Sequence, residues 1–144
     1  MRVRQVAQVP APTVPRDATV LDAVRTMERV RGGAVCVMEG DRLVGVLTER
    51  DVLLKVVRLQ RDPADVPVAE VMSADVTTVG PETRTAQALE AMVERHIRHL
   101  PVLADDGRLV GLVSVRNLLQ GHVEYLVDQL QALESFVTAD GPGG

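Results

Sequence analysis

"GVLTERDVLL", residues 45–54, carries an apolar run into a cluster holding a hydroxyl, a guanidinium and carboxylates in Thr48, Glu49, Arg50 and Asp51. The run from Gly45 reads as the end of a buried strand and the run from Val52 as a helix, so the cluster falls where one gives way to the other. "GLVSVRNLLQ" at 111–120 repeats the arrangement, with Ser114 for Thr48, Arg116 for Arg50 and Asn117 for Asp51. Two copies differing at one chemically telling position point to two related sites with unequal properties.

The likeness extends outward. "TVPRDATVLDAVRTMERVRGGAVCVMEGDRLVGVLTERDVLL" aligns with "TVGPETRTAQALEAMVERHIRHLPVLADDGRLVGLVSVRNLL", placing Val14 on Val79, Ala23 on Ala88, Met27 on Met92 and Val37 on Val102. One inserted residue in a turn then brings Arg42, Leu43, Val44 and Gly45 onto Arg108, Leu109, Val110 and Gly111. The chain is two copies of a unit of about 65 residues.

Each unit opens with a short strand and a helix. Asp17 or Thr19 can cap the first helix, with Val20, Leu21, Val24 and Met27 at helical spacing; Ala88, Leu89, Met92 and Val93 repeat the pattern. "AVCVM" and "HLPVL" then lead through turns at Gly40 and Gly107 into a second apolar run, which reads as a hairpin. Thr48 and Ser114 stand at the N-cap of the next helix. The fold class is α+β, each unit strand-helix-strand-strand-helix, and the two pack about a pseudo-twofold axis because one unit cannot cover both faces of its sheet.

The boundaries follow as residues 1–61 for the first repeat with its N-terminal segment, 62–75 for a linker punctuated by Pro63 and Pro67, and 76–121 for the second repeat. A C-terminal amphipathic helix spans 122–137, with Val123, Leu126, Val127, Leu130 and Leu133 as its stripe, and 138–144 is a flexible tail. The stripe must bury against either its own domain or a partner chain.

Composition narrows the function. A chain of 144 residues, 46% hydrophobic and 25% charged, suits one compact soluble domain. Its net charge is -4 and its sixteen basic residues are dispersed, which leaves no footprint for duplex nucleic acid. No apolar run reaches the roughly 20 residues of a membrane span and no secretory signal opens the chain, so a cytoplasmic location is expected. Cys36, inside "AVCVM", reads as a small core residue. Tyr125 and Phe136 are the two aromatic residues, so aliphatic side chains and backbone must hold any planar ligand.

Neither catalysis nor a metal is expected. There is no nucleophile elbow, HExxH or Walker-type loop, and Asp105 and Asp106 belong to the chemistry of the turn at Gly107. His96 and His99 straddle a helix-to-strand boundary and lack a third ligand; His122 reads as a surface residue.

The tandem repeat, the glycine-apolar-apolar-hydroxyl-x-x-acid motif and "HIRHLPV" before the second hairpin resemble a pair of CBS domains, a Bateman module, over roughly residues 10–120. The resemblance implies a regulatory protein that binds an adenosine-containing ligand in clefts between the repeats: AMP, ADP or ATP foremost, then S-adenosylmethionine or NADH. Carried over residue by residue, cleft 1 would use Thr48, Arg50, Asp51, Thr78, Ile97, Arg98, His99 and Pro101. Cleft 2, the weaker, would use Thr13, Gly33, Val35, Ser114, Arg116 and Asn117. The resemblance further implies a homodimer, a disc of four repeats, acting on an unknown regulated protein.

The residues are compatible with that reading. A helix N-terminus suits anions, and Thr48 and Arg50 add a hydroxyl and a guanidinium for phosphate. Asp51 can accept two hydrogen bonds from the ribose diol. Asn117 departs from the motif and carries no charge, so cleft 2 should hold ribose more weakly, by about 1 kcal/mol, or stand empty. Against this, the hydroxyls and Asp51 could be caps and the arginines solvated charges. A competing function is a dimeric interaction scaffold that binds no ligand.

Overall fold

The computed structural model describes residues 1–139. Of the two candidates Thr19 caps α1 (Val20–Val30): its Oγ1 accepts from Asp22 N and Asp22 Oδ2 accepts from Thr19 N, both at 3.1 Å. β1 (Thr13–Pro15) precedes it. β2 (Ala34–Glu39) and β3 (Arg42–Thr48) follow as a hairpin turning at Gly40, whose φ of +61 favours glycine. β1 pairs parallel with β2 and β2 antiparallel with β3. α2 (Glu49–Val52) leaves β3 and continues as a π-helical stretch, Leu53–Val57.

After a single turn, α3 (Val68–Val71), the second unit supplies α4 (Thr85–Arg95), β4 (His99–Leu103), β5 (Leu109–Ser114) and α5 (Val115–Ala139). The counterpart of β1 is here one residue: Val79 pairs parallel with Val102, and Gly80 and Pro81 end the pairing at once.

Three apolar clusters hold the chain. Val35, Val37 and Leu47 point from the first sheet onto α1, and Leu100, Val102 and Val113 from the second onto α4. The alternate strand positions Ala34, Cys36 and Val46 meet Leu112 between the two sheets. Cys36 is fully buried there, and burial pushes its thiol up to about 12, which removes it as a nucleophile.

The stretch 62–75, expected as a linker, is instead part of the first core. Val66, Val68 and Val71 are buried in it, Val20 N donates to Val66 O at 2.8 Å, and Ser73 pairs with Val46 along the open edge of β3. The N-terminal segment, expected with the first repeat, serves the second in the same way. Val3 is fully buried in the second core, Val3 N donates to Thr83 O at 2.8 Å, and Gln8 pairs with Leu112 along the edge of β5. Val3 and Val68, and Gln8 and Ser73, are related by the same spacing of about 65 residues, so each unit's leading segment closes the sheet edge of the other.

These crossings explain the glycines of the quoted motif. A Cβ at Gly111 would lie 2.7 Å from the backbone oxygen of Gln8, and one at Gly45 would collide with the Met72 thioether. Gly121 behaves alike, since a Cβ there would collide with Val6. Expected to separate two helices, it sits inside one, and the helix from Ser114 and the helix expected at 122–137 are a single 25-residue α5. Of the two alternatives for the stripe, burial on its own domain is ruled out, because every described side chain from His122 to Thr138 is exposed. Thr138 and Ala139 are helical, and residues 140–144 of the expected tail lie outside the described residues. Among the described residues no helix is long and apolar enough to cross a membrane.

Gly111→Ala should cost about 1–3 kcal/mol, because backbone must move, whereas Gly45→Ala should cost less because the flexible Met72 end can yield. Urea midpoints of the two variants check the order.

Candidate functional site

The site grows from the start of α2. Thr48 and Asp51 cap it reciprocally: Asp51 N donates to Thr48 Oγ1 at 3.2 Å, and Asp51 Oδ2 accepts from Thr48 N at 3.0 Å and Thr48 Oγ1 at 3.1 Å. Asp51 Oδ1 faces Lys55 Nζ at 3.0 Å, and that ammonium also donates to Val71 O at 2.9 Å. The carboxylate expected to be free for a diol is thus already engaged. Oδ1 keeps one lone pair, and Oδ2 gains one if the Thr48 hydroxyl turns away.

Thr48, Arg50 and Asp51 line a cavity of about 480 Å³, within the range of small-molecule sites. Ile97, Arg98, His99 and Pro101 from the second repeat form its opposite wall, the placement the family resemblance implied. Thr78 does not line it. Thr78 is exposed and the adjacent Thr77 takes its place, because the Val79–Val102 pairing fixes the register of this segment. Ser73, Asp75 and Val76 also line the cavity and were missed, having been read as linker or passed over. Glu49, in the quoted stretch itself, was present but given no role.

Cleft 2 is a wide groove of about 1730 Å³ that gathers Gly33, Ser114, Arg116 and Asn117. Thr13 is exposed outside it, and Val35 is fully buried in the first core, so its side chain reaches neither cleft. Val6, Ala7 and Gln8 of the crossing segment line the groove instead. Asn117 Oδ1 accepts from Ser114 N at 3.0 Å and Ser114 Oγ accepts from Asn117 N at 3.0 Å, the same cap as in the first repeat. The cap commits the amide oxygen. Where Asp51 offers Oδ1, Asn117 therefore presents an NH2 donor.

Gly33, Glu49, Leu53, Arg98 and His99 line both clefts and form the wall between them. A Cβ at Gly33 would lie 2.9 Å from Glu49 Oε1, so glycine here makes room for that carboxylate. Burial holds the His99 imidazolium below its ordinary range; the Glu49 carboxylate opposes this and the Arg98 guanidinium reinforces it. His99 is consequently a neutral donor-acceptor at pH 7. Among the described residues no three His, Cys, Asp or Glu side chains assemble as a metal site.

The CBS domain family model matches twice, over residues 3–58 and 68–124, each match starting in a segment that crosses to the other repeat. The chain belongs to the CBS domain family. An uncharacterised protein of Methanopyrus kandleri is 36% identical over 106 residues, 74% of this chain and 54% of that one, so this CBS chain spans about half the length of that relative. A putative signal-transduction protein with CBS domains from Burkholderia ambifaria superposes with a TM-score of 0.79 at 33% identity, covering 86% of this chain and 95% of that one. A CBS domain protein from Pyrobaculum aerophilum complexed with AMP superposes with a TM-score of 0.74 at 28% identity, covering 81% and 89%.

The half-buried, neutral His99 gives the CBS pair a pH signature. Its folded pKa is lowered, so the unfolded chain binds the proton first on acidification, and stability falls as pH drops through the ordinary histidine range near 6.5. Melting midpoints between pH 7.5 and 5.5 should decline, and His99→Gln should flatten that decline.

Proposed function

We propose that this chain is a regulatory CBS pair that binds an adenosine-containing ligand in cleft 1 and passes the occupancy to a partner protein through the arrangement of its repeats. The observation that carries the reading is the 480 Å³ cavity in which one repeat supplies Thr48, Arg50 and Asp51 and the other Ile97, Arg98, His99 and Pro101. A ligand there touches both repeats, so it can bias how they sit. Arg50 and Arg98 serve a phosphate, the spare lone pairs of Asp51 a ribose hydroxyl, and Val46, Val76, Ile97 and Pro101 a base without aromatic stacking. The AMP complex of the Pyrobaculum relative supports the ligand class. Exposed Leu54, Val57, Leu89 and Val93 on the helices of the two repeats support pairing of two chains into a disc of four repeats.

Two guanidiniums face three carboxylates, Glu49, Asp51 and Asp75, around cleft 1. Each added phosphate therefore meets less compensating charge, and affinity should fall from AMP to ATP. S-adenosylmethionine and NADH complete the panel.

Calorimetry and thermal shift with AMP, ADP, ATP, S-adenosylmethionine and NADH test the reading. One dominant site is expected. Asp51→Asn keeps the cap, as Asn117 shows, but loses the charge, so it should preserve the melting midpoint and weaken binding by about 1 kcal/mol, roughly fivefold. Thr77→Val should weaken binding and Thr78→Val should not. Two equal sites with Asp51→Asn silent would sink this assignment, and no shift from any compound at millimolar concentration would favour a ligand-free scaffold.

A further inference from the structure

α5 carries a pattern that cleft 1 does not use. Leu119, Val123, Leu126, Leu130, Leu133 and Val137 follow one another at intervals alternating four and three residues. A mean interval of 3.5 keeps one seam facing a supercoiled partner helix, where a straight helix on a globular body follows 3.6. None of the six is less than 52% exposed.

The second half of this helix has no cover in the chain itself. Every described side chain from His122 to Thr138 is exposed. In proteins most helical stability comes from packing of an apolar face, and this half of α5 finds none within its own chain. The surface area agrees: the chain exposes 9395 Å², whereas a compact monomer of 15.6 kDa exposes roughly 7,200 Å².

The flanks select the occupant. From Asn117 to Ala139 there is no Lys or Arg, while Glu124, Asp128 and Glu134 are acidic, so the helix lacks the basic polar face that holds an interfacial helix on an anionic membrane. With Leu119, Leu126 and Leu133 at d and Val123, Leu130 and Val137 at a, leucine fills every d position and a β-branched residue two of the three a positions. Among parallel coiled coils that choice favours two strands. In such a pair Glu124 and Asp128 point away from the seam, and Glu134 at e faces the neutral Gln129 at g of the second copy, so no like charges oppose each other.

We propose that α5 pairs in parallel and in register with α5 of a second copy of this chain, as a two-stranded coiled coil running from Leu119 to Val137. This surface is distinct from cleft 1 and from the α2 and α4 faces, and only its first two residues, Leu119 and Val123, also line the groove of cleft 2. It would place the two copies' helices side by side whether or not a nucleotide is bound.

Cross-linking of the full-length chain tests the pairing. Leu130→Cys, on the seam, should yield a disulfide-linked species of twice the chain mass on mild oxidation, while Asp128→Cys, on the outer face, should remain at single mass. Cys36 is fully buried and does not compete. Adding Leu126→Glu and Leu133→Glu to the Leu130→Cys chain should abolish the cross-link and lower the helical circular dichroism signal, with the melting of the repeats retained. Leu130→Cys at single mass with the repeats folded overturns the proposal, as does equal cross-linking of Asp128→Cys. A two-chain mass in light scattering without the Leu130→Cys cross-link assigns dimerisation to another face and also overturns it. So does flotation of the wild-type chain with phosphatidylserine vesicles in place of cross-linking.

Discussion

Two thin sheets, one of three strands and one of two, are apolar on both faces, and neither can hide both faces alone. Helices cover the outer faces; the inner faces meet through Ala34, Cys36, Val46 and Leu112. Everything else in the molecule is arranged around that contact. Small side chains let the sheets approach, and the glycines at 45 and 111 let the leading segment of each unit cross to the other. The clefts are what remains at the two ends of the contact: Val46 lines one, Ala34 and Leu112 the other. A site shared between repeats is therefore a consequence of how the core is closed.

The polar cluster at each strand-to-helix junction does two kinds of work at once. Thr48 with Asp51 and Ser114 with Asn117 satisfy the first backbone donors of their helices with nearly the same distances. The cap alone does not distinguish carboxylate from amide. The distinction lies in the second atom, which in Asp51 meets Lys55 and in Asn117 is an amide nitrogen. Lys55 is nearly half exposed, so its ion pair contributes little stability. The charge at residue 51 is better explained by the cavity it lines than by the fold.

The repeat was legible because apolar spacing records which face of each element is buried. Val14 and Val79, Met27 and Met92, and Val37 and Val102 carried the alignment, and the cluster at residues 48–51 could be read because its members are neighbours in the chain. What was not legible depends on contacts between segments far apart. The choice of Thr77 over Thr78 follows from the pairing of Val79 with Val102, and the inward turn of Val35 from its place over α1. Likewise Gly121 looked like a break because glycine weakens helices, while its actual constraint is the approach of Val6 from more than a hundred residues earlier. The crossing of residues 1–9 and 66–73 was hidden for the same reason, although their buried valines were in plain view.

The departures from twofold symmetry concentrate polar groups on one side. Thr77 lines cleft 1 where the aligned residue of the first unit is Pro12; Glu49 stands where the second unit has Val115; Arg98 stands where the first has Gly33. Glu49 and Arg98 also belong to the wall that cleft 2 shares. A ligand phosphate in cleft 1 that draws Arg98 toward itself removes that cation from cleft 2, and one that repels Glu49 moves that carboxylate toward it. Both changes make cleft 2 less welcoming to an anion. Since coupling between sites is reciprocal, an anion held in cleft 2 must weaken cleft 1 by the same factor. On the proposed reading, unequal clefts on a shared wall would favour occupancy of one at a time, and the asymmetry at Asp51 and Asn117 would set which one fills first.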